Sequence, residues 1–184
     1  MIPYLILILV IILFLIFNKF TDVTADFNSV LTRIHHGENE IDELLNKKAT
    51  LLDEIFESIN NINENPVFSS ISKVMKKNLD ARKLDLDLAE AYSELKEYLL
   101  VNKAFIPEDE LKKKIDDLSI LELNLEATKV FYNDNSKIFN KLIDNFPSKI
   151  IAKKKRYDYK NLYSFTKEEF FEILKKDKKK KKDA

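Results

Sequence analysis

The chain opens on an unbroken apolar run, then changes to apolar residues spaced by threes and fours almost to its end. From Ile2 to Phe17 it reads IPYLILILVIILFLIF without a charge. At about 1.5 Å per helical residue, Met1 to Phe20 reaches the roughly 30 Å of a bilayer core. A soluble helix would have to hide an apolar surface on every side. A cleaved signal peptide wants a basic leader and a small-residue cleavage site, for which Val23-Thr24-Ala25, beyond Asp22, is the one weak candidate. The expectation is an uncleaved transmembrane anchor.

Between Phe20 and Ile62 the residues Phe27, Leu31, Ile34, Ile41, Leu45, Leu52, Ile55, Ile59 and Ile62 form one stripe of a long amphipathic helix. The stretch Asn61 to Pro66 is turn chemistry, with Asn65 as N-cap and Pro66 as first residue of a second helix. That helix is predicted over about Val67 to Asn102, with Ile71, Val74, Leu84, Leu88, Ala91, Leu95 and Tyr98 inward. Pro107-Glu108-Asp109-Glu110 starts a third, since negative charge in a first turn complements the helix dipole. It runs to Pro147 with Leu111, Ile115, Leu118, Leu121, Leu125, Tyr132, Phe139, Leu142 and Phe146 on one face.

Links of about five residues force antiparallel neighbours. The expected fold is all-α: a transmembrane helix (residues 1–20), continuing into an elongated antiparallel up-and-down bundle (21–148) of three long helices plus a short C-terminal helix, with a basic, partly disordered segment (149–184). An up-down-up order delivers Ser148 to the end far from the bilayer.

Composition agrees with helices. There is one glycine, Gly37, and four prolines, which disfavours tight-turned sheets and dinucleotide-binding folds. Gly37 is expected opposite a bulky residue, where helices approach closely. Cysteine is absent, which excludes disulfides, thiolate metal sites, cysteine nucleophiles and lipoprotein acylation.

The third helix also carries a likeness to a known family. Leu125 to Asn133, then Ile138-Phe139-Asn140, Ile143 and Phe146-Pro147-Ser148-Lys149-Ile150-Ile151-Ala152 closely resemble the C-terminal signature of the LemA family, in which an aromatic-Asn pair recurs after seven residues before a Phe-Pro stop. Ile41-Asp42, Leu45, Lys47-Lys48 and Leu51-Leu52 are similar to its first helix, and Ala89-Glu90-Ala91-Tyr92 with Leu95-Lys96 to its second. The chain departs from the pattern near Leu52-Asp53, in the longer segment from Tyr92 to Phe131, and at Lys153-Lys154-Lys155-Arg156, where the family is Gly-rich. The resemblance implies a membrane-anchored helical bundle with no settled activity. It singles out Phe131, Tyr132, Asn133, Phe139, Asn140, Phe146 and Pro147 as signature positions.

Catalytic chemistry is thinly represented. His35 and His36, with Glu38 and Asp42 one and two turns on, supply the alternative of a metal-assisted hydrolase. Adjacent histidines point about 100° apart on a helix, which favours a wet polar stripe instead. Phosphate loops need glycines the chain lacks. No enzyme activity, metal or cofactor is expected. Asn133 and Asn140, seven residues apart, are expected to hydrogen-bond across the bundle and fix its register.

Charge divides the chain. Residues 149–184 hold fourteen Lys or Arg against six Asp or Glu, a net of +8, and the preceding 148 residues carry −8. Lys149, Lys153, Lys154, Lys155 and Arg156, mixed with Ile150, Ile151 and Tyr157, are candidate contacts for anionic lipid, an acidic protein or nucleic acid. Placed far from the bilayer, they are expected to meet a partner in trans. No sequence feature supports a homo-oligomer. Lys19 and Arg33 follow the apolar run and no cation precedes it, which predicts the domain on the cytoplasmic side of the cell membrane.

Overall fold

A computed structural model describes residues 2–63, 67–69, 71, 80–102 and 109–163. Regular structure among them is all helical: α1 (Ile2–Ile62), α2 (Ala81–Val101), α3 (Asp109–Asp144) and α4 (Ser148–Lys155). The all-α class is therefore found. The expectations for Pro66, Val74, Pro107-Glu108 and the lysine run Lys178 to Lys182 lie outside the described residues. Two compact units are present, residues 1–36 with 131–162, and 37–130 with 163–184; α1 and α3 each contribute to both.

In the unit 37–130, Ile41, Leu45, Leu52, Ile55 and Ile59 of α1 are buried with Leu88 and Leu95 of α2 and Leu111, Leu118 and Leu125 of α3. Each such side chain contributes about 1.5–3 kcal/mol by leaving water. α3 runs antiparallel to α1, since Lys114 pairs with Glu54 at 3.1 Å and Glu122 with Lys48 at 2.5 Å. It is also antiparallel to α2, with Lys129 on Asp85 and Ser119 beside the Tyr92 hydroxyl. So α2 lies parallel to α1, its late residue Tyr98 accepting a hydrogen bond from Asn63 at 3.2 Å.

This corrects the expected up-down-up order, and the reason lies in side chains of α1. Val67 and Phe68 donate their N–H groups to Asn60 Oδ1 at 2.7 and 3.0 Å, and Asn60 Nδ2 donates to the Phe68 carbonyl at 2.9 Å. Ile71 N–H donates to Asp53 Oδ1 at 2.8 Å, while the Phe68 ring stacks on Phe56 with centroids 4.1 Å apart. Residues 67–69 are non-helical and lead back along α1. The expected helix thus does not start at Val67; among the described residues the next helix begins at Ala81, on an Asp80 cap whose carboxylate accepts from Arg82 N–H.

In the unit 1–36 with 131–162, α3 again opposes α1: Phe139 meets Phe27 edge-on at 5.5 Å and Phe131 meets His36 at 6.5 Å. Val23, Phe27, Val30 and Ile34 are buried with Tyr132, Phe139, Ile143 and Ile151. From Tyr4 to Phe17 the described apolar side chains are 47–72% exposed, so one-sided burial begins only at Val23. Gly37 is buried.

Candidate basic site beside the apolar run

α4 is a two-turn helix defined by its ends. Ser148 Oγ and Lys149 N–H donate to the Asn145 carbonyl at 3.0 and 2.7 Å, starting the turn after Pro147. At the other end Arg156 takes a left-handed conformation, φ 54° and ψ 46°. Its N–H donates to the Lys153 carbonyl at 3.3 Å and Tyr157 N–H to the Ala152 carbonyl at 3.0 Å, the paired closing bonds usually built on glycine. The left-handed residue costs about 1–2 kcal/mol. It aims Tyr157 between Phe27 and Phe139, with centroids 5.0 and 5.5 Å away.

Helical spacing then sorts the residues. Ser148, Ile151 and Ala152 are buried, whereas Lys149, Ile150, Lys153 and Lys154 face solvent. Ile150 is 49% and Phe146 83% exposed, so the cations are interleaved with bare apolar groups. A hollow of about 370 Å³ is lined by Phe146, Ile150, Lys149, Lys153 and Lys154. A larger groove of about 800 Å³ is lined by Phe17, Phe20, Thr21 and Thr24 of α1 and by Ile150, Ile151, Lys154 and Lys155. Lys155 Nζ stands 5.8 Å from the Tyr157 ring centroid. Among the described residues, Lys149, Lys153, Lys154 and Arg156 meet no acidic side chain.

The position of this helix is the second correction. Ser148 was expected far from the apolar run; α4 instead packs beside Phe17 to Thr24, where that run ends. With α2 parallel to α1, α3 descends rather than climbs.

The residues singled out by the family resemblance divide into two groups. Tyr132, Phe139 and Asn140 hold the extended segment that follows α4: Tyr132 O–H donates to the Asn161 carbonyl at 3.0 Å, and Asn140 both donates to the Lys160 carbonyl and accepts from Lys160 N–H at 2.8 Å. Tyr159 O–H donates to Asp144, and that bond raises the phenol's pKa. Asn140 therefore grips an extended strap rather than a neighbouring helix, and Asn133 is buried. Phe131 and Phe146 are exposed and Pro147 half-buried.

His35 and His36 are exposed on α1. Among the described residues no group of three or more His, Asp or Glu is disposed to hold a metal ion. The sequence reading missed two features. One is the apolar groove itself, foreshadowed only by Ile150-Ile151 among the cations. The other is a buried charge cluster in the unit 37–130, where Lys129 Nζ donates to both Asp85 oxygens at 3.2 and 3.0 Å near the Lys48–Glu122 pair. Burial pushes the Lys48 ammonium below its ordinary pKa against the pull of Glu122, and pushes Asp85 up against the pull of Lys129.

The chain matches no family model, no curated protein and no solved structure.

Proposed function

We propose that the protein is a single-pass membrane-anchored interaction or scaffold module, a LemA-like helical bundle with no catalytic step of its own. The observation that carries this is the change of exposure along one continuous helix. Described apolar side chains from Tyr4 to Phe17 are bare on every face, while from Val23 onward α1 buries only one stripe. Water tolerates the second pattern and not the first. The helix is long and apolar enough to cross a membrane. The LemA likeness is carried mainly by residues from Leu125 to Ala152, with looser matches in α1 and α2, and Tyr132 and Asn140 of that stretch hold the strap.

In this reading the domain is cytoplasmic. Support comes from Lys19 and Arg33, joined at the foot of the apolar run by the five cations of residues 149–156, which contain no Asp or Glu. Two measurements test the proposal. Mature protein should keep Met1 to Phe17 and stay with membranes through a carbonate wash; a mature start near Asp26 would overturn it. Because the chain has no cysteine, exposed Asp134→Cys should resist a membrane-impermeant maleimide in intact cells and react after permeabilisation.

A further inference from the structure

We propose that α4 and the adjoining face of α1 form a binding site for anionic phospholipid of the same membrane that α1 crosses. The inference rests on the anchored reading above. Depth is its first support. Hydrocarbon is about 30 Å thick and the bilayer with headgroups about 40–45 Å, which leaves some 5–8 Å of headgroup on each side. At about 1.5 Å per residue that layer takes up roughly four residues of helix beyond Phe20. Thr21 and Thr24, in the wall of the 800 Å³ groove, occupy this interval, with Phe17 and Phe20 on its hydrocarbon side.

Chemistry is the second support. A groove for lipid needs an apolar trough for acyl chain and cations for phosphate at one end. Phe17, Phe20, Ile150 and Ile151 supply the trough, and Lys154 and Lys155 the cations. Lys154 also lines the hollow with Phe146, Lys149 and Lys153, so the positive face continues outward along α4. The exposed Phe146 and Ile150 beside these lysines are the mixture that an interfacial helix presents to a headgroup layer, apolar groups entering it while ammonium groups stay at phosphate level. An acidic protein would account for the lysines and leave Phe146 and Ile150 in water. Proximity also removes the screening that would isolate a distant cation, since attraction to a charged surface fades over about 8 Å.

The test uses the full chain in nanodiscs and one introduced cysteine labelled with an environment-sensitive dye. Ile150→Cys reports the site, and Leu9→Cys reports the span. In discs of phosphatidylcholine containing equal small fractions of doxyl-labelled phosphatidylglycerol or doxyl-labelled phosphatidylcholine, the label at Ile150 should be quenched more by the anionic lipid, on the order of fivefold. That preference should shrink in 0.5 M salt, roughly as the Debye length contracts. It should vanish when Lys149, Lys153, Lys154 and Lys155 are all changed to Gln, with the thermal melt unchanged because these side chains are exposed.

Failure of each reading has its own signature. A label at Leu9 that no doxyl lipid quenches would sink the anchored reading. A label at Leu9 quenched by both lipids, with the label at Ile150 showing no headgroup preference, would overturn the lipid site alone. Absence of preference combined with a dye shift on adding polyglutamate would give the cations to an acidic protein instead, and would equally overturn it.

Discussion

The ammonium of Lys48, with no solvent exposure, meets the Glu122 carboxylate at 2.5 Å. The contact closes as an ion pair without the alignment of a hydrogen bond. Burial dominates the lysine and holds its pKa below the ordinary 10.5. Between that lowered value and 10.5 the unfolded chain keeps a proton the folded protein has released, so stability rises with pH through this window. Lys48→Met should remove that rise from the melting temperature followed as pH is raised toward 10.5. An alkaline slope equal to wild type would refute the assignment.

The neighbouring pair behaves differently because both partners are almost fully buried and hydrogen-bonded. Lys129 donates to both oxygens of Asp85, and the two residues are 5% and 2% exposed. Removing one partner strands a buried charge. Asp85→Ala is expected to cost about 3–5 kcal/mol in denaturant unfolding, and Asp85→Leu with Lys129→Met far less. A double variant as unstable as the single would mean that the loss comes from packing rather than from unpaired charge.

The legibility of these features in the sequence follows from their periodicity. Leu111, Leu118, Leu125, Tyr132 and Phe139 recur every seven residues, and all five are buried. The next in the series, Phe146, is exposed because α3 stops at Asp144. Phe27, Ile34, Ile41, Lys48 and Ile55 form the matching series on α1, fully buried throughout. Lys48 is the one polar member of that series, and a lone lysine in such a seam is a known way to fix register. Helix direction was less legible. The three-and-four spacing is the same for a helix running up or down, and the reversal before α2 depends on side-chain bonds from Asn60 and Asp53 that no period encodes. Misplacing α2 misplaced α4, and with it the basic site.

Asn140 allows a test of the strap separate from the helices. Its amide makes two 2.8 Å bonds to the backbone of Lys160, each worth about 0.5–1.5 kcal/mol. Asn140→Ala should lower stability by roughly 1–3 kcal/mol and speed amide exchange at Lys160, while amides in the middle of α3 keep most of their protection. Uniform loss of protection along α3 would show that Asn140 acts on the helix and not on the strap.

The last prediction concerns the reversal that sets the topology. Asn60 satisfies three backbone groups of Val67 and Phe68, which have no helical partners among the described residues, and Phe68 is only 8% exposed against Phe56. Asn60→Ala leaves those groups unpaired beside a buried ring, and is expected to cost about 2–4 kcal/mol. Asn60→Asp keeps the acceptor for Val67 and Phe68 and loses only the bond to the Phe68 carbonyl, so it should cost about half as much. Because α2 owes its direction to this return, the alanine variant should also lengthen the distance between spin labels at exposed Glu57 and Glu97, measured by pulsed electron resonance in the full chain. Unchanged distance and stability would mean that the packing of Phe68 on Phe56 and Tyr98 suffices, and Phe68→Ala would then be the variant that separates them.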